Sequence, residues 1–359
     1  MKRKRVAGTA AVGAAAGVLG LTVPALPAGA ADPNLPAIAP EKLVASVMTA
    51  QPPAMAGTVK VDNNLGLPAI PGLEGSSTAL SGGTSTMRVW TDGQGKQRLS
   101  IPSTGEETTV INDGTTVWKW NSAENTVTKY RHDTGAESDT PHRSAPANPT
   151  ATAKRIIDTL RQSSKVAVDG TASVAGRDAY ELVLTPKSTE RTVLREVRIA
   201  VGAEKRIPLR ITVNTNGSDD PALQAGFSKL EVAPQDAELF RFTPPAGAQV
   251  RQGEQHERRD ADSGTHPKPR VVGDGWDSVL VTRVPQQALQ QRETRQGSEE
   301  QQRPGLRGFV ERAGKQVSGP WGNGWIISSK AGSGLLTSDG RLAVGAVPGQ
   351  VLTEAMRHP

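Results

Sequence analysis

Residues 85–131 read STMRVWTDGQGKQRLSIPSTGEETTVINDGTTVWKWNSAENTVTKYR, and short β-branched or aromatic runs alternate in them with turn residues. The runs are Met87–Thr91, Gln97–Ile101, Thr108–Asn112, Thr115–Trp120 and Thr126–Tyr130. Asp-Gly between two such runs is a strong signal for a β-hairpin, and it occurs at Asp92-Gly93 and Asp113-Gly114. Four of the twelve aromatic residues of the chain also fall in this segment. The sequence therefore predicts a meander at the centre of an antiparallel sheet.

The pattern of strands continues on both sides of this segment. Further strands are expected at Gly57–Val61, Val166–Val168, Thr171–Val174, Asp178–Thr185, Thr192–Ala200, Leu209–Asn214, Gly226–Val232 and Leu239–Thr243. A first helix is expected to begin at Pro40 and to end before Pro52-Pro53, and a second one opens at Asn148-Pro149. This order predicts an α+β fold, with one curved antiparallel sheet of about ten or eleven strands and helices on one side.

The first thirty residues have the organisation of a secretory signal peptide. Lys2-Arg3-Lys4-Arg5 precedes an apolar run from Val6 to Leu26, and Ala28-Gly29-Ala30 supplies small residues for cleavage before Ala31. The alternative is an uncleaved N-terminal membrane anchor, which Pro24, Pro27 and the many Gly and Ala residues disfavour. We expect an extracytoplasmic protein.

Charge and cysteine content narrow the possible functions. Residues 1–30 contain four of the forty-two Lys and Arg residues and no acidic residue, so the remaining chain has a net charge of +2 rather than +6. Such a balance provides no basic surface for nucleic acid. The chain has no cysteine, which excludes disulfides, thiolate metal sites and a cysteine-linked lipid anchor.

Composition also divides the chain into regions. The main domain is predicted to span residues 31–250. Residues 251–270 contain five basic and four acidic residues and no aliphatic residue larger than Val, which is typical of a solvated linker. Residues 271–359 are predicted to form a small C-terminal α+β extension, with a flexible Gln-rich insertion near residues 286–303.

Four motifs in order resemble the LolA family over about residues 41–250. They are DGTTVWKWNSAENTVTKY (113–130), YELVLTPK (180–187), IPLRITV (207–213) and LFRFTPPAGAQV (239–250). The GLPAIPG loop (66–72) and the C-terminal tail resemble secreted LolA-like proteins of Gram-positive actinobacteria. The two-part layout is similar to RseB, a periplasmic regulator of sigma factors. A strand arginine followed by proline in LolA has no counterpart, because the matching place reads Trp90-Thr91-Asp92-Gly93.

The resemblance implies an unclosed β-barrel with an apolar inner face, capped by helices, that takes up the acyl chains of lipids or lipoproteins. Burial of about ten methylenes at about 0.8 kcal/mol each is sufficient to hold such a chain. Nine residues are candidates for lining the cavity: Val59, Val89, Leu99, Ile101, Trp118, Trp120, Tyr180, Leu182 and Leu184. Their inward or outward sense is open at this point, because a slip of one residue reverses every face of a strand. Ordinary core packing is the alternative for each of them.

The sequence favours a binding protein over an enzyme and implies no cofactor. The five histidines, His132, His142, His256, His266 and His358, lie in polar segments without metal-ligand spacing. Two functions remain open. The first is a carrier of lipid or lipoprotein acyl chains, and the second is an RseB-like sensor whose partner is a membrane-bound anti-sigma factor.

We predict that the exported protein begins at or near Ala31, because the basic, apolar and small-residue regions come in the order that signal peptidases require. N-terminal sequencing of protein recovered outside the cytoplasmic membrane tests this prediction. Material that starts at Met1 would contradict it.

Overall fold

The computed structural model of the protein describes residues 33–67, 82–103, 105–131, 148–253, 269–284, 289 and 306–357. Its strands form one sheet of twelve strands and one of six. The larger sheet contains β1 (Met55–Asn63), β2 (Gly83–Thr91), β3 (Gln97–Ser103), β4 (Glu106–Asn112), β5 (Thr116–Asn121), β6 (Thr126–Arg131), β7 (Ser164–Val174), β8 (Arg177–Pro186), β9 (Leu194–Gly202), β10 (Pro208–Thr215), β11 (Leu223–Val232) and β12 (Gln249–Gln252). Their order across the sheet is β12-β6-β5-β4-β3-β2-β1-β11-β10-β9-β8-β7.

The larger sheet is antiparallel except at one edge, where β12 runs parallel to β6. Strands β2 to β6 form the meander that the sequence predicts. The two edge strands, β12 and β7, do not pair with each other, so the sheet is not closed. The predicted α+β class with an unclosed antiparallel sheet is thus confirmed. The sheet has twelve strands instead of about ten or eleven: of the thirteen runs expected as strands, two join into β7 and Leu239–Thr243 is not a strand, while β12 is an added parallel strand.

Two local expectations are wrong. The segment expected as a strand at Leu239–Thr243 instead contains the end of a 3₁₀ turn, Ala237–Phe240, whose first turn is capped by the side chain of Asp236. The two short strands expected at Val166–Val168 and Thr171–Val174 form the single strand β7. Its register shifts between Val168 and Thr171, where Gly170 adopts a φ of +91°. A β-bulge of this kind keeps a strand continuous while one extra residue is accommodated.

Two helices lie together on one face of the larger sheet. Helix α1 (Pro40–Thr49) begins with proline at its first turn, as expected, and helix α2 (Pro149–Ser163) begins after Asn148. The Asn148 side chain accepts a hydrogen bond from the backbone N–H of Ala151 at 2.9 Å, which satisfies one of the free donors of the first turn. Leu43 of α1 and Ile157 of α2 are both fully buried in one cluster with residues of β7, β8 and β9.

The smaller sheet forms the C-terminal part of the chain. It contains β13 (Arg270–Val272), β14 (Val279–Arg283), β15 (Lys315–Gly319), β16 (Gly322–Ser329), β17 (Gly332–Thr337) and β18 (Arg341–Gly345), in the order β13-β14-β18-β17-β16-β15. Helix α3 (Leu306–Ala313) packs through Val310 against Leu336, and helix α4 (Gly349–Ala355) packs through Leu352 against Leu335. Since Leu335 and Leu336 are neighbours on β17, the two helices lie on opposite faces of this sheet.

Polar contacts join the two sheets. The backbone N–H of Val193 and the Oγ1 of Thr192 both donate to the carbonyl oxygen of Ala346, at 3.0 and 2.6 Å. Trp276 donates its backbone N–H to Glu190 at 2.8 Å and its indole N–H to the Oγ of Ser164 at 2.7 Å. The orientation of the second sheet is thus fixed by hydrogen bonds to the loops and strand ends of the first.

Several sequence-based predictions concern residues outside the described ranges. These are the signal peptide, most of the 251–270 linker, most of the GLPAIPG loop and most of the Gln-rich insertion. Among the helices that the structure does describe, none has the length and apolar content to cross a membrane.

We predict that Ile157→Ala lowers the free energy of unfolding by about 2–5 kcal/mol, since it leaves a cavity in the cluster between α2 and the sheet. The matched control is Ile156→Ala, because the neighbouring Ile156 side chain is 40% exposed. This control should cost well under half as much. Urea unfolding of both variants is the measurement, and equal losses would contradict the placement of α2.

Candidate functional site

Cross-strand pairing defines which residues share a face of the larger sheet, because directly opposite residues of an antiparallel pair point to the same side. Leu182 lies in the cluster beneath α1 and α2, so its side of the sheet is called here the helix-bearing face. From Leu182, the paired positions across successive strands are Ile199, Ile211, Ala225 and Val61. The helix-bearing face therefore continues from β8 to β1.

The same face can be followed to β5. Val59 lies two residues from Val61 on β1, so both point to the same face, and Val59 pairs with Met87 on β2. Val89 lies two residues from Met87 and therefore also points to this face. From Val89, the paired positions are Leu99 on β3, Val110 on β4 and Lys119 on β5. Of the nine candidate residues, seven thus belong to the helix-bearing face: Val59, Val89, Leu99, Ile101, Tyr180, Leu182 and Leu184.

One end of this face is covered by helices. Tyr180 and Leu182 are only 6% and 8% exposed, and they belong to the same cluster as Leu43 and Ile157. Leu184 is partly buried against that cluster. The guanidinium of Arg206 lies 5.1 Å from the ring centroid of Tyr180 and stacks on it as a cation–π pair. These three candidate residues contribute to the packed core beneath α1 and α2.

Over the other end of the face, the described residues place no hydrophobic cluster. Val59, Val89, Leu99 and Ile101 are half-buried, and none of them belongs to a hydrophobic cluster in the part of the chain that the structure describes. Ile211 on β10 is 40% exposed although it lies on the same face. We call the set of uncovered apolar residues the apolar stripe: Val59, Met87, Val89, Leu99, Ile101, Val110, Val117 and Ile211. An apolar surface of this kind that remains partly exposed often marks a binding site.

The stripe is long enough for one acyl chain. Its members on neighbouring strands extend from β1 to β5 across β2, β3 and β4. Four strand spacings of about 4.8 Å make a length of about 19 Å. One leaflet of a bilayer supplies half of a hydrocarbon thickness of about 30 Å, so a single chain needs about 15 Å.

Trp118 and Trp120 lie on the opposite face. Trp118 pairs with Ile111 and Trp120 pairs with Thr109, and both of these β4 residues are fully buried. Thr109 pairs with Ser100, which pairs with Arg88, so these residues lie on the face that does not carry Leu99. The ring of Trp118 is 5.6 Å from that of Phe242, and the ammonium of Lys129 lies 4.7 Å from its centroid. The indole N–H of Trp120 is buried and has no hydrogen-bond partner among the residues that the structure describes. The structure thus does not bring the two tryptophans together with the other seven candidates.

The segment between β11 and β12 covers the opposite face near Trp118 and Trp120. Phe240 is 2% exposed, and the carbonyl oxygen of Leu239 accepts a hydrogen bond from Arg98 at 3.3 Å. Phe242 contacts Trp118. Because Arg98 and Trp118 both belong to the opposite face, the returning segment lies against that face.

Farther along the sheet, the opposite face carries paired charges beside buried apolar residues such as Val183 and Ala200. Glu181 is 9% exposed and accepts hydrogen bonds from Arg198 at 3.0 Å and Arg210 at 2.8 Å. Arg198 also donates to Glu196 at 2.9 Å, and this hydrogen bond is the main reason why the pKa of Glu196 is lowered. An apolar ligand would have to desolvate these ions, which is unfavourable.

Asp113 holds the β4–β5 turn in shape. It accepts hydrogen bonds from the backbone N–H groups of Thr115 and Thr116, at 2.9 and 2.8 Å, and from the indole N–H of Trp118 at 3.0 Å. Burial raises the pKa of Asp113, but these hydrogen bonds together outweigh it and lower the pKa. Gly114 follows with a φ of +97°, which favours glycine. The turn thereby sets the register that directs Val117 to the apolar stripe.

A shallow pocket of about 280 Å³ lies elsewhere, between the β7–β8 and β9–β10 turns. Its rim carries Arg177, Asp178, Glu204 and Lys205, so both signs of charge are present. None of the nine candidate residues lines it.

The described residues contain no group of three or more histidine or acidic side chains that could hold a metal ion. All five histidines considered in the sequence lie outside the described ranges.

Sequence reasoning missed four residues of the apolar stripe: Met87, Val110, Val117 and Ile211. The alternation of Met87 with Val89 was a usable signal, since both positions must share a face of one strand. The exposure of Ile211 could not be foreseen, because it depends on where α1 and α2 end their coverage of the sheet. The ligand-binding role of all nine candidates stays a prediction.

No family model and no curated protein matches the sequence. Among solved structures, MucB of Pseudomonas aeruginosa in complex with MucA is similar at 15% identity and a TM-score of 0.44, over 88% of this chain and 95% of that chain. An uncharacterized conserved protein from Thermus thermophilus is similar at 12% identity and a TM-score of 0.36, over 59% of this chain and 98% of that chain. A LolA superfamily protein from Nitrosomonas europaea is similar at 12% identity and a TM-score of 0.24, over 57% of this chain and 99% of that chain.

The unclosed antiparallel sheet with helices on one face is the fold that the LolA-like resemblance of the sequence implies. At these identities and TM-scores the likenesses carry no argument about function. The functional inferences that follow rest on the residues of this chain.

We predict that Asp113→Asn lowers stability by about 1–2 kcal/mol at pH 7, because the hydrogen bonds to a carboxylate are replaced by weaker ones. A lowered carboxyl pKa stabilises the folded state above the unfolded value of about 3.9, and this stabilisation is lost as the pH falls through the folded pKa.

The difference in unfolding free energy between the unmodified protein and Asp113→Asn should therefore shrink between pH 7 and pH 3. Urea unfolding at both pH values measures it. A difference that is the same at pH 7 and pH 3 would show that the Asp113 carboxylate is not held as described.

Proposed function

We propose that the protein is an extracytoplasmic, non-enzymatic binding protein that takes an acyl chain of a lipid or lipoprotein onto the apolar stripe. The observation that carries this proposal is that one face of a single sheet is packed under helices at β7–β9, whereas at β1–β5 it carries half-buried apolar residues that no described hydrophobic cluster covers. An ordinary core would be covered along its whole length, since each exposed methylene forfeits about 0.8 kcal/mol. An acyl chain supplies the missing apolar surface.

The proposal assigns different roles to the candidate residues. Val59, Val89, Leu99 and Ile101 contact the ligand, and Tyr180, Leu182 and Leu184 hold α1 and α2 on the sheet. Trp118 and Trp120 stabilise the meander from the opposite face. Only substitutions in the first group should act on binding without a large effect on folding.

The experiment compares a glutamate on the two faces of β2. Val89→Glu should lower the affinity for a fluorescent fatty acid at least tenfold, because a charge on the stripe disfavours apolar contact, and the variant should remain folded since Val89 is half-buried. Thr86→Glu introduces the same side chain on the opposite face of the same strand, at an exposed position, and should leave the affinity unchanged.

A third variant, Leu182→Glu, separates the stripe from the core. Burying an unpaired charge beneath α1 and α2 should cost several kcal/mol of stability. Probe binding and thermal melting are measured for all three variants. Equal affinity of Val89→Glu and Thr86→Glu, or no uptake of the probe by the unmodified protein, would rule out the carrier function.

The second candidate function is an RseB-like sensor that acts on a membrane-bound anti-sigma factor. The second sheet favours the sensor function, because a carrier needs only the larger sheet. In this chain the second sheet is held to the larger one by hydrogen bonds at Glu190, Thr192 and Val193. Affinity purification from membrane extracts distinguishes the two candidates. A stoichiometric membrane-protein partner would support the sensor, and bound lipid without such a partner would support the carrier.

A further inference from the structure

Lys119 differs from the other cations of strands β1 to β6. It pairs across the sheet with Val110 and Thr128, so it belongs to the helix-bearing face, at the β5 end of the apolar stripe. Its side chain is exposed. Within the part of the chain that the structure describes, Lys119 makes no ion pair, hydrogen bond or ring contact.

The cations of these strands on the opposite face each have a partner, as far as their side chains are described. Lys60 pairs with Asp62 at 2.9 Å, and Arg98 donates to the carbonyl oxygen of Leu239. Arg88 and Lys129 lie 5.9 and 4.7 Å from the ring centroids of Trp90 and Trp118. Lys119 is thus the one described cation of β1 to β6 that faces the stripe and lacks a partner.

We propose that the ligand of the apolar stripe is an anionic amphiphile, whose head group binds the ammonium of Lys119 while its chain lies along Leu99, Val89 and Val59. This inference rests on the proposed function. A carboxylate or a phosphate has the required charge, and both accept hydrogen bonds from an ammonium group.

The placement of the charge supports this reading. Val110 lies between Lys119 and Leu99 on neighbouring strands, so the ammonium is adjacent to the end of the stripe. The nearest carboxylate of the helix-bearing face in these strands, Glu106, is four residues from Val110 along β4, which separates them by about 13 Å. A ligand that lies across β2 to β4 therefore meets one positive charge at its β5 end.

The test uses the full chain and two fluorescent probes with the same acyl chain, one ending in a carboxylate and one in its methyl ester. The unmodified protein should bind the carboxylate about two- to fivefold more tightly, the range that one exposed ion pair provides. Lys119→Gln should abolish this preference and leave the affinity for the ester unchanged. High salt should weaken the preference as well.

Lys129→Gln is the matched control, because Lys129 lies on the same hairpin and on the opposite face. It should alter neither affinity. A third probe with an alkyl phosphate head distinguishes the source of the anion: tighter binding of the phosphate indicates a phospholipid head group, and tighter binding of the carboxylate indicates a fatty acid.

Equal affinity of the unmodified protein for carboxylate and ester would overturn the assignment of Lys119 and leave the acyl-binding function intact. A preference that persists in Lys119→Gln would also overturn it. Failure of both the charged probes and the ester to bind would overturn the proposed function, and the assignment of Lys119 with it.

Discussion

Backbone pairing in the twelve-stranded sheet is the constraint on which the other features depend. Because side chains alternate along each strand, the register of each ladder decides which residues meet the helices and which meet the returning segment at Phe240–Phe242. A slip of one residue in β5 would place Trp118 and Trp120 on the apolar stripe and Val117 beneath Phe242. The hydrogen bonds of Asp113 at the β4–β5 turn oppose such a slip.

One face of this sheet has two different environments. Beneath α1 and α2 it is a closed core in which Leu43 and Ile157 are fully buried. At β1 to β5 most of its apolar residues, Val61 excepted, are only half-buried, so this part of the sheet contributes less to stability than its apolar composition allows. Proteins tolerate such a loss where function requires it, and a ligand that covers the exposed residues recovers part of the stability by mass action.

Much of the fold was predictable from local sequence. Asp-Gly turns and alternating runs gave the meander, and Pro40 and Asn148-Pro149 gave the beginnings of both helices, because these signals act over a few residues. The strand expected at Leu239–Thr243 is wrong for a long-range reason. That segment packs on Arg98 and Trp118, which lie more than a hundred residues earlier in the chain. The parallel pairing of β12 with β6 is a long-range feature of the same kind.

The candidate site was predictable only in part, for a similar reason. Sequence patterns identify apolar positions, but they do not tell which of them a helix will cover. Tyr180 and Leu99 lie on the same face of the sheet, yet Tyr180 is buried in the core and Leu99 belongs to the apolar stripe. Trp118 and Trp120 show another limit of sequence patterns. The face to which a side chain points is set by the pairing register of its strand and not by the kind of side chain.

Photochemical labelling tests the central claim most directly. The full chain is incubated with a fatty acid that carries a diazirine group in its acyl chain, irradiated and digested, and the labelled residues are located by mass spectrometry. The account predicts adducts on Met87, Val89 and Leu99, and none on the accessible residues Thr86, Arg88 or Trp120 of the opposite face. Adducts confined to the opposite face, or distributed equally over both faces of the meander, would contradict it.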